Sequence, residues 1–290
     1  MYEKAGRQIP NQPDYGSREQ YMGQITTREH WINTSGGQLF AQSWSSPEER
    51  GAPIVLFHDS LGCVALWRDF PEQLARVCAR RVIAYDRLGF GRSSVYPGTL
   101  ASSFIQDEAH GSFLSLCRQL HLNQFVALGH SVGGGMAVGC AAAYPSMCQA
   151  LITESAQAYV GNDTLAGIRA AEHKFAEPAR FKRLQRYHGE KARWVLRAWV
   201  DTWLSEPFEQ WCLNELLPQV RCPLLVLHGD HDEYGSRHHP ERINALAAGP
   251  ATLRVLENCG HVPHREHPET VLAAISSFID QCKTSSATSG

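Results

Sequence analysis

The 290-residue sequence predicts an α/β fold: a mostly parallel central sheet with helices on both faces and one helical insertion. Two observations carry this. Short, continuous apolar runs, the pattern of strands buried on both faces, recur along the chain with helical spacing between them. From about Tyr159 to Pro218 there is no such run, only helical spacing rich in Arg and Trp.

Taken in order, residues 1–24 hold no periodic apolar pattern and read as an N-terminal arm. Alternation begins at Ile25, breaks at Ser35-Gly36-Gly37 and resumes from Gln38 to Trp44, which is a hairpin signature around a Gly-Gly turn. Buried-strand runs follow at Pro53–Phe57, Arg81–Tyr85, Gln124–Leu128, Gln149–Thr153, Pro223–Leu227 and Thr252–Leu256. Helical patterns lie at about 66–79, 104–121, 132–144, 239–248 and 268–282. The expected core is therefore 25–157 with 219–282, the insertion is 158–218, and 283–290 is a polar tail.

Composition bounds the function. With 27 Lys plus Arg against 29 Asp plus Glu, the chain lacks the basic surplus of a general nucleic-acid binder. No stretch approaches the ~18 uninterrupted apolar residues of a membrane span, and the polar N-terminus lacks a secretory apolar block. Nine scattered cysteines without C-x-x-C read as free thiols in a reducing compartment, so a cytoplasmic location is expected. The expected assembly is a monomer or homodimer.

The strand at 124–128 runs into Gly129-His130-Ser131-Val132-Gly133, and a small-residue helix follows. G-x-S-x-G between strand and helix marks a sharp turn that exposes a serine, with glycines where side chains would collide with neighbouring backbone. The helix N-terminus aims free N–H groups and a positive dipole end at charge developing near Ser131. The bland alternative is a glycine-rich turn with a capping serine.

A serine is a weak nucleophile at neutral pH and needs a base that a carboxylate orients. In this architecture the acid and then the histidine follow at the ends of later strands. After 223–227 comes His228-Gly229-Asp230-His231-Asp232-Glu233, and after 252–256 comes Cys259-Gly260-His261. His261 is the expected base, while His264 and His267 are expected at the surface or as caps. Asp230 is placed to brace its loop and Asp232 is the preferred acid, with Glu233 and Glu154 as alternatives. A tetrahedral intermediate also needs two N–H donors. Val132 should supply one and Ser60 the other, or Leu61 if Asp59 is an insertion.

These residues resemble the α/β-hydrolase superfamily, in particular its lid-bearing branch of serine esterases, lactonases and carbon–carbon bond hydrolases. The resemblance covers about 25–157 and 219–282. It rests on Gly129-His-Ser-Val-Gly-Gly, Asp86-Arg-Leu-Gly-Phe-Gly-Arg-Ser93, Gly229-Asp-His-Asp232 and Cys259-Gly-His261-Val-Pro-His. It implies Ser131 as nucleophile, Asp232 as acid, His261 as base and Asp86 as a loop brace. The family usually has His-Gly at the oxyanion loop where this chain has His58-Asp59, and carbon–carbon hydrolases often carry Asn where it has His130.

The expected function is hydrolysis of a small apolar acyl ester or lactone through an acyl-enzyme, with no cofactor and no metal. One alternative is a carbon–carbon hydrolase of dienone-type ring-fission products; others are a metal hydrolase built on the His and Asp residues of 228–239 and a non-catalytic ligand-binding protein on the same fold. Between Arg169 and Arg197 nine Lys or Arg meet three acids, which reads either as a solvated helix face or as attraction for an anionic substrate or acidic acyl carrier. Trp199 and Trp203 share one helical face and, with His130, are candidates for the substrate pocket. Tyr187-His188-Gly189 breaks the lid helices and is expected to be a hinge.

Overall fold

The computed structural model of the protein describes residues 24–287, so the expected N-terminal arm, apart from Gln24, lies outside the described residues. The strands are β1 (Thr26–Thr34), β2 (Gly37–Ser45), β3 (Ile54–Phe57), β4 (Val82–Tyr85), β5 (Phe125–His130), β6 (Cys148–Glu154), β7 (Leu224–Gly229) and β8 (Ala251–Leu256). They form one sheet in the order β1-β2-β4-β3-β5-β6-β7-β8. β1 pairs with β2, and β2 with β4, antiparallel; all later pairings are parallel. Every residue of β3, β4, β5 and β7 is buried, as their unbroken apolar runs require. β8 departs from that expectation. It is the sheet's edge strand, so Thr252 and Arg254 face solvent.

The helices are α1 (Phe70–Cys78), α2 (Phe104–His110), α3 (Ser112–Gln119), α4 (Val132–Ala143), α5 (Asn162–Phe175), α6 (Pro178–His188), α7 (Ala192–Trp203), α8 (His238–Leu246), α9 (Pro263–Glu266) and α10 (Pro268–Ala287). The helical pattern at 104–121 resolves into two helices because Gly111, at φ −100° and ψ −100°, breaks it. The last helix runs to Ala287, past the 282 at which the sequence predicts a tail. α5 to α7 lie between β6 and β7 in the chain.

Two apolar layers sandwich the sheet. Phe70, Leu74, Val271 and Ile275 of α1 and α10 pack on one face, and Ile105, Phe113, Met136 and Val138 of α2 to α4 pack on the other. The neighbouring parallel strands β3 and β5 therefore send their following helices to opposite faces. The crevice left between their carboxyl ends is where ligands bind in open α/β sheets. The loop after β3 and the turn at Ser131 both lie there.

Candidate active site

Ser131 occupies the single residue between β5 and α4, at φ 56° and ψ −126°. That conformation costs a non-glycine residue about 1–3 kcal/mol and persists only where the surroundings hold it. Here the Ser131 N–H donates to the Glu154 carbonyl at 2.8 Å, and the Gly134 N–H donates to the Ser131 carbonyl at 2.8 Å. The glycines are obligatory for steric reasons: a Cβ at Gly129 would lie 2.1 Å from the Gly133 carbonyl oxygen, and one at Gly133 would lie 2.1 Å from that of Phe57.

Two later strand ends bring an imidazole and a carboxylate together. Both Asp232 oxygens face His261 Nδ1, at 2.8 and 2.9 Å, and Asp232 Oδ1 also accepts the Tyr234 N–H at 2.8 Å. Burial works to raise the Asp232 carboxyl, but the His261 hydrogen bond and charge interaction outweigh it and leave its pKa below 3.8. Burial conversely works to lower the His261 imidazole; the hydrogen bond and charge of Asp232, with smaller contributions from Glu233 and Asp59, carry it above 6.5. Ser131 Oγ lies 3.5 Å from Gln157 Oε1, the outer limit of a hydrogen bond.

Among the described residues, none of the alternative acids is hydrogen-bonded to His261. Asp230 accepts the Cys259 N–H at 3.2 Å, bracing its loop. Glu154 is fully buried against His264, whose Nδ1 lies 2.8 Å from Glu154 Oε2. His264 is therefore an interior residue, not the surface or capping residue expected from the sequence. Glu233 is exposed and borders the cavity at Ser131. Asp86 accepts the N–H groups of Arg92, in its own loop, and of Val64, in the loop after β3, each at 2.6 Å. The histidines of 228–239 are dispersed: His228 Nε2 pairs with the Gly235 carbonyl at 2.9 Å, His239 Nδ1 accepts the Ala158 N–H at 3.2 Å, and His231 is exposed.

Ser131 and His261 open onto one cavity of ≈ 230 Å³, whose wall includes Ile168, Trp199, Trp203 and Tyr234. Helices α5 and α7 thus supply apolar wall. His130, expected on this wall, is not part of it. Its side chain leaves β5 next to Ser131's turn but enters the core, where Nε2 pairs with the His261 carbonyl at 2.7 Å and the ring packs on His264. Burial, followed by the neighbouring His264 and His261, holds His130 down at about 4, so it is neutral and structural. Gln157, Thr164, Ile168 and Tyr234 also line the cavity and were not singled out by sequence. For Gln157 a usable signal existed, since it follows the end of the strand beside β5.

The loop after β3 is held in one orientation. The Asp59 carbonyl accepts from Arg87 Nη2 at 2.8 Å, and His58 Nδ1 lies 2.8 Å from it. Because a trans peptide points its N–H opposite to its C=O, anchoring that oxygen turns the Ser60 N–H the other way. Ser60 lines the cavity, and the N–H groups of Ser60 and Val132 have no partner among the described residues. The expected hinge at 187–189 is instead an anchor. His188 is buried, Nδ1 accepts the Gly91 N–H at 2.9 Å and Nε2 pairs with the Leu61 carbonyl at 2.9 Å, tying α6 to the core. Among the described residues no helix is long and apolar enough to cross a membrane.

Comparison with known proteins adds a family. Residues 54–274 match the model of the alpha/beta hydrolase family. The chain is 31% identical over 219 residues to the serine hydrolase BPHL of Mus musculus, covering 73% of this chain and 74% of that protein. It is 23% identical over 267 residues to a proline iminopeptidase of Lactobacillus acidophilus, covering 79% and 90%. Among solved structures, a membrane phospholipase A described as a bacterial virulence factor superposes with a TM-score of 0.71 at 20% identity, covering 89% of this chain and 87% of that one.

Proposed function

The chain belongs to the alpha/beta hydrolase family, and from that premise we propose that it is a serine hydrolase of small acyl esters or lactones. One observation carries the reading: the Asp232 carboxylate grips His261 Nδ1, while His261 and Ser131 share one apolar-walled cavity. With Nδ1 held by Asp232, the other ring nitrogen is left to take a proton, which is the tautomer a general base needs.

In this mechanism Ser131 Oγ turns from Gln157 towards His261, loses its proton to the imidazole and attacks the acyl carbon. Asp232 stabilises the imidazolium that forms. The Val132 and Ser60 N–H groups bind the developing oxyanion, assisted by the N-terminal end of α4. His261 then returns the proton to the leaving alkoxide; water, deprotonated by the same histidine, attacks the acyl-enzyme, and that proton passes to Ser131 Oγ as the acid leaves. The helical insertion serves as the lid over this chamber and, through Trp199 and Trp203, receives the apolar part of the substrate.

The test is a panel of p-nitrophenyl esters of increasing chain length, lactones and a dienone diketone, run beside Ser131→Ala. Ester or lactone turnover, and labelling by a fluorophosphonate probe, should both vanish in the variant. Preferential turnover of the diketone would move the assignment to carbon–carbon cleavage. A wild-type protein that neither turns over any member nor takes the probe would remove the catalytic reading altogether.

A further inference from the structure

A second cavity, of ≈ 220 Å³, adjoins the catalytic one and shares Asp59 and Leu61 with it as a common wall. Three guanidinium-bearing residues line it: Arg180 and Arg183 from α6, and Arg265 from α9. On α6 the lining residues Arg180, Arg183, Leu184 and Tyr187 fall at i, i+3, i+4 and i+7, a single helical face. All three arginines are exposed at its open rim; Lys182 and Arg186 of α6 are exposed too but do not line it. Arg265 is fixed by donating to the Leu66 carbonyl, and Arg180 by its pair with Glu177 at 3.1 Å. Arg183 has no hydrogen-bond or ion-pair partner among the described residues. Leu66 and Phe175 add apolar surface.

The catalytic cavity has the opposite character. Its charged wall residues beside the Ser131 and His261 pair are Asp59 and Glu233, with no Lys or Arg. An anion next to the reacting carbonyl would be repelled by both carboxylates. An anion several bonds away, in the annex, would meet three guanidinium groups against two carboxylates: Glu177, paired with Arg180, and Asp59, whose Oδ2 sits 3.9 Å from the neutral His130 ring.

We propose that the annex binds an anionic oxygen group, a carboxylate or phosphate monoester, at the far end of the substrate, so that the preferred ester or lactone carries its charge an apolar chain away from the scissile carbonyl. This rests on the serine-hydrolase reading above and gives that site its substrate class. Planar guanidinium forks recognise both anions through paired N–H donors, so length selects and the head group is read second.

The experiment uses aryl esters of straight-chain acids ending in methyl, carboxylate, phosphate or ammonium, each at several chain lengths, with kcat/KM measured at low and high salt. Anion-ended esters should exceed their methyl-ended counterparts by about tenfold at intermediate length, with no advantage at the shortest length and a smaller advantage at high salt. Arg180→Gln/Arg183→Gln should bring that ratio close to one, mainly through KM, whereas the charge-matched Lys182→Gln/Arg186→Gln should keep it. The larger of the carboxylate and phosphate ratios identifies the head group. No anionic preference in the wild type, a preference for ammonium, or equal behaviour of the two double variants would overturn the proposal. Fluorophosphonate labelling of Ser131 and turnover of the methyl-ended esters report on the catalytic reading separately, so either can fail alone.

Discussion

Glu154 and His264 are joined twice: the carboxylate accepts the His264 backbone N–H through Oε1 at 2.5 Å and faces the ring Nδ1 through Oε2 at 2.8 Å. Both side chains are buried beneath the candidate active site. Glu154 ends the strand next to β5, and its carbonyl accepts the Ser131 N–H, so this pair pins the loop after β8 to the turn that presents the serine.

Breaking that pair should cost stability. Burial works to raise the Glu154 carboxyl, but the His264 ring and backbone N–H outweigh it and leave its pKa below 4.5. A lowered carboxylate contributes stability that is present above the unfolded pKa and lost as pH falls through the folded one. Glu154→Gln is expected to lose roughly 3 kcal/mol at neutral pH, and its gap to the wild type should shrink as pH drops below about 4.5. Urea unfolding at a series of pH values reads both; a gap that widens in acid would contradict the assignment.

Asp232 should set the pH profile. In the proposed mechanism neutral His261 is the base, so kcat/KM is expected to rise with pH through a limb above 6.5, where Asp232 carries the imidazole. Asp232→Asn removes the largest raising influence and leaves burial, which lowers. The limb should move to more acid pH while kcat falls by about 10⁴-fold. Steady-state pH profiles of both proteins check the direction; an unmoved limb would assign the titration to another group.

Arg87 is expected to act by positioning. Its guanidinium holds the Asp59 carbonyl at 2.8 Å, and the same peptide carries the Ser60 N–H. Arg87→Met should lower kcat by roughly 10- to 100-fold with KM little changed, since a misaimed donor is missed chiefly in the transition state. Thermal unfolding measured alongside separates this from simple destabilisation, which would reduce the amount of active enzyme without a kcat-specific defect per labelled serine.

Two glycines of α4 make a sharper pair. A Cβ at Gly133 would meet the Phe57 carbonyl oxygen at 2.1 Å, in the backbone of a central strand, while one at Gly139 would meet the Ile105 carbonyl oxygen at an ordinary 3.7 Å. Gly133→Ala should therefore destabilise by about 3 kcal/mol or more, whereas Gly139→Ala should be neutral or stabilise by up to about 1 kcal/mol through helix propensity. Chemical denaturation of both variants, and fluorophosphonate labelling of the folded fraction, would show whether the serine turn depends on the first glycine alone.

The elements most legible in the sequence are those fixed by local rules. Unbroken apolar runs marked β3, β4, β5 and β7 because strands buried on both faces have no polar side to alternate. G-x-S-x-G marked the β5–α4 turn because backbone crowding there excludes a Cβ. Thr252–Leu256 looked the same as those runs and proved to be an edge strand, since an apolar run does not reveal whether a neighbour covers it.

Residue pattern alone specifies the sheet, its helices, the place of Ser131 and the short set of carboxylates and histidines at later strand ends. Chain order favoured Asp232 and His261 within that set but held nothing of the contacts each member makes. Asp230, Asp232, Glu154 and Glu233 differ in which partner reaches them across the sheet, and His130, His188 and His264 became an interior prop, an anchor and a buried partner only through residues distant in the chain. Burial and pairing are properties of three-dimensional neighbours, and a local pattern holds no record of them. The same limit hid the face of α6 that turns Arg180 and Arg183 towards Arg265, because a helix's periodicity shows which residues align but not what they will confront.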